Sequence, residues 1–144
     1  MPWDISDADA KDDRLARAVA EMQAPMQEAE RIVTEAIDRN FASESAAGDP
    51  WPPLAASTIA DRQRKGYGPG PILQRTQTLR GSMKGSHDNE SAEVGPSEDI
   101  DYAWTHEAGD ASRNIPARPY LRVTVSDEQA IENAIWDHLE RNDG

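Results

Sequence analysis

Apolar positions recur with a helical period through the first third of the chain. Met26, Ala29, Ile32, Val33, Ala36, Ile37 and Phe41 fall on one face, with Glu28, Arg31, Glu35 and Asp38 on the other. The spacing predicts a helix over 26–41 whose apolar stripe faces a core. Upstream, Leu15, Val19 and Met22 share a stripe in a helix expected over 13–24. Pro25 either interrupts the pattern or opens the second helix as its first residue. Residues 1–13 are mostly Asp, Ala and Ser with one Trp, and read as a mobile or partner-ordered arm.

Further along, the pattern shortens. Gly48, Asp49 and three prolines make 43–53 a loop, within which Trp51 plugs a core edge. Ser57 is placed to cap a helix over 58–65 that ends at Gly66. The run Tyr67-Gly-Pro-Gly-Pro71 reads as a flexible loop. A helix is expected over 73–83, capped by Thr76, with Leu79 and Met83 on one face. Strands at 82–87 and 91–95, turned by His87-Asp88-Asn89, form a hairpin. Residues 100–108 are a short helix or strand carrying Tyr102, Trp104 and His106, and 109–114 are a loop. The clearest strand is 120–125, where Leu121, Val123 and Val125 alternate with Tyr120, Arg122 and Thr124. Ser126, with Gln129 three residues on, signals a capping box opening a last helix with Ile131, Ala134, Ile135 and Leu139 inward. The order predicts an α+β fold. In it a small antiparallel sheet is packed by a long N-terminal helix and a C-terminal helix, with extended loops. The organisation expected is an arm at 1–13 and a single domain over 14–144.

Composition narrows the function. The chain of 144 residues is 6% aromatic with a mean hydropathy of −0.80, which suits a small core that finishes its burial against neighbours. It has no cysteine, which excludes disulfides and thiolate metal sites and fits a reducing compartment. No apolar run is long enough to span a membrane, and the N-terminus is unlike a secretory signal peptide. The net charge of −12 opposes general affinity for phosphate backbones. That charge is uneven. Residues 1–50 carry net −7, 51–84 net +5 and 85–144 net −10. A basic middle between acidic ends is either ordinary surface or a basis for head-to-tail complementarity between copies.

Catalytic signatures are missing. There is no Gly-rich phosphate loop, no HExxH and no GxSxG. His106, Glu107 and Asp110 are the nearest approach to a metal set, but a helix does not aim all three one way. His106 reads more simply as a structural residue near the Gly109 turn. His87 lies in a turn and His138 on a helix face. Paired carboxylates arise by chance in a chain with 27 of them, so a hydrolase reading has no motif behind it. Arg118 is mounted between two prolines and suits a bidentate carboxylate partner, within the subunit or across an interface. Trp3 anchors a contact with another subunit or packs on its own domain. The basic 62–84 region, with Arg62, Arg64 and Lys65, leaves one alternative open: a small nucleic-acid-binding regulatory protein.

Several short segments in fixed order carry a resemblance. They are Trp51-Pro-Pro-Leu54, Arg62-Gln-Arg-Lys65-Gly66, Leu73, Leu79-Arg80-Gly81-Ser82 and Val94-Gly95. Then follow Tyr102-Ala103 with His106 and Gly109, and Ile115-Pro-Ala-Arg-Pro-Tyr120 with Leu121. Over roughly 26–140 the chain resembles the phage virion morphogenesis, or tail completion, proteins. Two departures stand out: Thr76-Gln77-Thr78 replaces a threonine-glycine step, and the first dozen residues have no counterpart. The resemblance implies a non-enzymatic structural subunit at the head–tail junction, as neck, tail completion or tail terminator protein. It implies no cofactor and no metal. The implied partners are further copies of itself in a ring, as a hexamer, the portal or head-connector protein, and a tail tube or sheath protein. DNA passes through the lumen unbound, aided by acidic lining. The implied location is the virion, after assembly in the host cytoplasm. Heterologous ring contacts are expected from the arm 1–13, the loops 43–53 and 67–72 and the hairpin 82–95. The interface residues expected are Trp3, Trp51, Arg62, Arg64, Lys65, Tyr67, Arg80, Tyr102, His106, Arg118 and Tyr120.

Overall fold

The structure, a computed structural model, describes residues 5–66, 78–98, 100, 102–113 and 115–143. Its elements run α1 (Ile5–Ala20), α2 (Gln23–Ser43), β1 (Ser45–Ala46), β2 (Asp49–Pro50), α3 (Ala56–Arg64) and α4 (Thr78–Gly81). They continue with β3 (Lys84–His87), β4 (Ala92–Gly95), α5 (Ala103–Ala108), a 3-10 turn (Ala111–Arg113) and α6 (Val125–Asp143). The fold is α+β, with two separate two-stranded antiparallel sheets, β1–β2 and β3–β4. Backbone packing gathers the chain into two compact units. Unit 1 is Met1–Ile32, Gly85–Glu93 and Val125–Gly144; unit 2 is Val33–Lys84 and Val94–Thr124. Helix α2 contributes its first half to one unit and its second half to the other.

In unit 1, α1 packs on α6. The His138 ring nitrogen lies 3.0 Å from the Ala18 carbonyl oxygen. The α6 stripe of Ile131, Ala134, Ile135 and Leu139 is partly buried, as its period requires. From Ile5 onward the segment expected as an arm is helical. Pro25 sits in the first turn of α2, where its missing N–H costs no helical bond, and it is buried. The hairpin lies against α2 through His87, whose Nδ1 is 3.1 Å from Glu30 Oε2. Gly85 permits this approach, since a Cβ there would stand 2.6 Å from Glu30 Oε1. Asp88 closes the turn by accepting the Glu90 and Ser91 amides at 2.7 and 2.8 Å.

Unit 2 holds the main core. Ile37, Phe41, Trp51, Leu79, Ala103 and Tyr120 are buried together, with Val33, Leu54, Met83, Val94, Ile100 and Leu121 around them. Phe41 stacks on Tyr120 at a centroid distance of 5.3 Å and meets Trp51 edge-on at 5.8 Å. Each such pair adds about 1 kcal/mol beyond the area it buries. Trp51 therefore plugs the core edge as its position between prolines suggests.

Four local expectations change. The 43–53 loop contains the β1–β2 hairpin, whose two-residue turn puts both Ala47 and Gly48 at positive φ. Helix α3 starts at Ala56 behind Ala55, so Ser57 lies inside it and no side chain caps it. Likewise α6 starts at Val125, so Ser126 lies inside it, and the Gln129 side-chain amide donates forward to Asn133 at 3.1 Å. Most notably, 120–124 bends at Leu121 and forms no strand, for a reason found in the site below, while Val125 already belongs to α6. Helix α4 falls within the helix expected over 73–83, whose first part, like the 67–71 loop, lies outside the described residues.

Candidate functional site

Two of the family-like segments, Trp51–Leu54 and Ile115–Leu121, meet with Tyr102–Gly109 in unit 2, where they form a clasp around Tyr120. Tyr120 is fully buried, and its hydroxyl donates to the Ala103 carbonyl at 2.5 Å. Burial, and after it the Glu107 charge, raises the phenol pKa above its ordinary value. The Tyr120 and Leu121 amides donate to Glu107 Oε2 at 2.7 and 3.2 Å. On the other side, Asn40 Nδ2 donates to the carbonyls of Tyr120 and Arg122, both at 2.8 Å. Two side chains thus replace the ladder that a neighbouring strand would provide. That is why an alternating segment forms no sheet.

The rest of the clasp follows from Gly109. Its φ is +77°, and a Cβ there would lie 2.7 Å from the Ala117 nitrogen. This close pass lets Asp110 and Ile115 exchange backbone hydrogen bonds at 2.8 and 2.9 Å. It also lets the Arg118 amide donate to the His106 carbonyl at 2.8 Å. Arg118 is buried, and its fork reaches backbone: Nε donates to Pro52 O at 2.9 Å and Nη2 to Pro53 O at 2.8 Å. Burial first, then the charge of Arg62, lowers its pKa from the ordinary value. The indole N–H of Trp51 donates to Pro119 O at 2.7 Å. So Trp51-Pro-Pro-Leu54 and Ile115–Tyr120 are two sides of one hydrogen-bonded joint.

The residues expected at interfaces differ in how much of them the chain itself covers. Trp51, Arg62, Arg118 and Tyr120 are buried in unit 2. The partners of Arg118 are two prolyl carbonyls, not a carboxylate. His106 is partly buried; burial, then the Arg118 charge, lowers its pKa, and its ring meets Tyr102 edge-on at 5.7 Å. Arg80 donates to Asp38 at 2.8 Å, and that hydrogen bond holds the Asp38 carboxyl below its ordinary value. Arg64 and Lys65 both pair with Asp61, at 3.0 and 3.1 Å, while their own side chains stay largely exposed. Tyr102 is exposed. Trp3 and Tyr67 lie outside the described residues. Reading residues one at a time missed Trp104, 63% exposed on α5, and Trp136, 61% exposed on α6. It missed Asn40 as well, although a polar residue within the apolar stripe of α2 is itself a signal.

The carboxylates once considered for a metal have other work. Glu107 serves two backbone amides, and Asp110 binds Ser112 and Arg113. Among the described residues no group of three His, Asp or Glu side chains is placed to hold a metal ion. No helix among them is long and apolar enough to cross a membrane.

What the site defines is an α+β scaffold in which Trp51, Arg118 and Tyr120 are hydrogen-bonded to the chain's own backbone. The chain belongs to the phage virion morphogenesis family, whose profile matches residues 4–140. That match begins well before residue 26 and takes in α1. No curated protein and no solved structure matches the chain. Family membership gives the protein a structural role in phage morphogenesis.

Proposed function

We propose that the protein is a virion subunit at the head–tail junction, a neck, tail completion or tail terminator component. In this reading it assembles as a ring, as a hexamer, that joins the tail to the head connector and lets DNA pass. It acts by contact and not by catalysis. The observation that carries this is the family match over nearly the whole chain. Charge distribution supports it. Unit 1 holds 17 acidic and 5 basic residues, whereas unit 2 holds 10 of each, so the entire net charge belongs to unit 1. An acidic surface along a channel repels phosphates and leaves DNA free to move.

The deciding experiment is light scattering and electron microscopy of the purified protein, alone and mixed with the neighbouring connector or tail-tube protein. A closed ring, or a monomer that closes into one on mixing, is the expected result. A monomer indifferent to both neighbours, together with joined particles from phage lacking this gene, would overturn the reading.

A further inference from the structure

Helix α6 has two faces, and only one is used. Ile131, Ala134, Ile135 and His138 lie on the side that meets α1. On the opposite side stand Val125, 82% exposed, and Trp136, 61% exposed. They lie eleven positions apart, about three helical turns, so they share one face. Glu132 and Glu140 lie one turn before and one turn after Trp136, both exposed. The result is a ridge with an indole between two carboxylates, on the unit that holds all the net negative charge.

Such a ridge suits a guanidinium or ammonium group. The cation would lie over the indole face and pair with the flanking carboxylates, and each contact strengthens the other as water leaves. The chain presents that chemistry at the end of α3. There Arg64 and Lys65 share one carboxylate, Asp61, which leaves a positive charge in excess. The Arg64 side chain is 76% exposed.

We propose that the Glu132–Trp136–Glu140 ridge of one copy receives Arg64 and Lys65 of a second copy. The contact is heterologous, as a ring requires, and it rests on the ring assembly proposed above. It gives the opposed charges of the chain a place to meet and covers the largest exposed apolar side chain among the described residues of unit 1.

The test is self-association measured by sedimentation velocity at low and high salt. Trp136→Ala is expected to weaken association about tenfold or more, as interface tryptophans do. The pair Glu132→Arg with Glu140→Arg, and separately Arg64→Glu with Lys65→Glu, are expected to do the same. Combining both pairs restores association, and that rescue cannot come from a misfolded chain. Rings that persist through every reversal, or a combined variant no better than either pair, overturn the contact and leave the ring reading intact. A wild-type chain that stays monomeric alone and with both neighbours overturns the ring reading, and the contact with it.

Discussion

The Asn40 side-chain amide donates to the Tyr120 carbonyl at 2.8 Å, joining α2 to a segment eighty positions away. The same nitrogen serves Arg122 O, and Asn40 Oδ1 accepts the Ala47 amide at 3.0 Å. One buried amide therefore satisfies three backbone groups on two different segments. Asn40→Leu leaves those groups unpaired and is expected to destabilise the protein by about 3 kcal/mol. Asn40→Asp is worse, because it turns a carboxylate oxygen toward two carbonyl oxygens. Urea unfolding followed by circular dichroism checks both; a midpoint unchanged in either would remove Asn40 from this role.

Gly109 is the second fixed point. Its positive φ strains any other residue, and the atoms a Cβ would meet belong to the backbone, which cannot rotate away. Gly109→Ala is expected to cost about 3 kcal/mol. The loss should be local first: hydrogen exchange at the Asp110 and Ile115 amides, which bond each other's carbonyls, should quicken more than at α6. Uniform acceleration would argue against this clasp as the weak point.

Arg118 tests whether a fork is needed or only a charge. Its two donors reach two successive prolyl carbonyls, a geometry that an ammonium on a flexible stem does not reproduce. Arg118→Lys is expected to cost about 2 kcal/mol and Arg118→Ala more, since Pro52 and Pro53 then lose their donors. Equal stability of the Lys variant and the wild type in thermal melts would show that charge alone suffices.

His106 gives the protein an acid-side weakness. Burial first, and the Arg118 charge second, hold its folded pKa below the ordinary 6.5. The unfolded chain therefore takes up a proton that the folded one resists. Stability falls as pH drops below 6.5 and levels off once the folded pKa is passed. His106→Phe should flatten that part of the curve of melting temperature against pH. A wild-type slope that survives the substitution would place the titrating group elsewhere.

Much of this architecture is legible in the residues, and the failures have identifiable causes. The α2 stripe from Met26 to Phe41 is buried as its period requires, because one long amphipathic helix carries its signal locally. The β3–β4 hairpin is readable from its Asp88-Asn89 turn. The strand expected over 120–125 does not form, because Asn40 and Glu107 answer its backbone, and no local pattern reveals a partner so distant in sequence. The β1–β2 turn hides because Ala47 adopts a positive φ that alanine rarely takes, held there by Asn40. Of the expected interface residues, Trp51, Arg62, Arg118 and Tyr120 are buried within the chain, where composition favoured both outcomes. Trp, Arg and Tyr serve buried joints and exposed contacts alike, and only burial separates Arg118 from Arg64.

The basic 62–84 region makes a last prediction, about nucleic acid. Its local charge is positive, yet Arg62 is buried, Arg64 and Lys65 are paired with Asp61, and Arg80 is paired with Asp38. Phosphate binding would have to overcome a chain charge of −12. Fluorescence anisotropy of labelled duplex DNA is therefore expected to stay flat on titration with the protein, even at low salt. A rise that weakens steeply as salt is added would instead revive the nucleic-acid-binding reading. Its disappearance in Arg64→Glu with Lys65→Glu would place the DNA on the end of α3, the surface assigned above to a second copy of the chain.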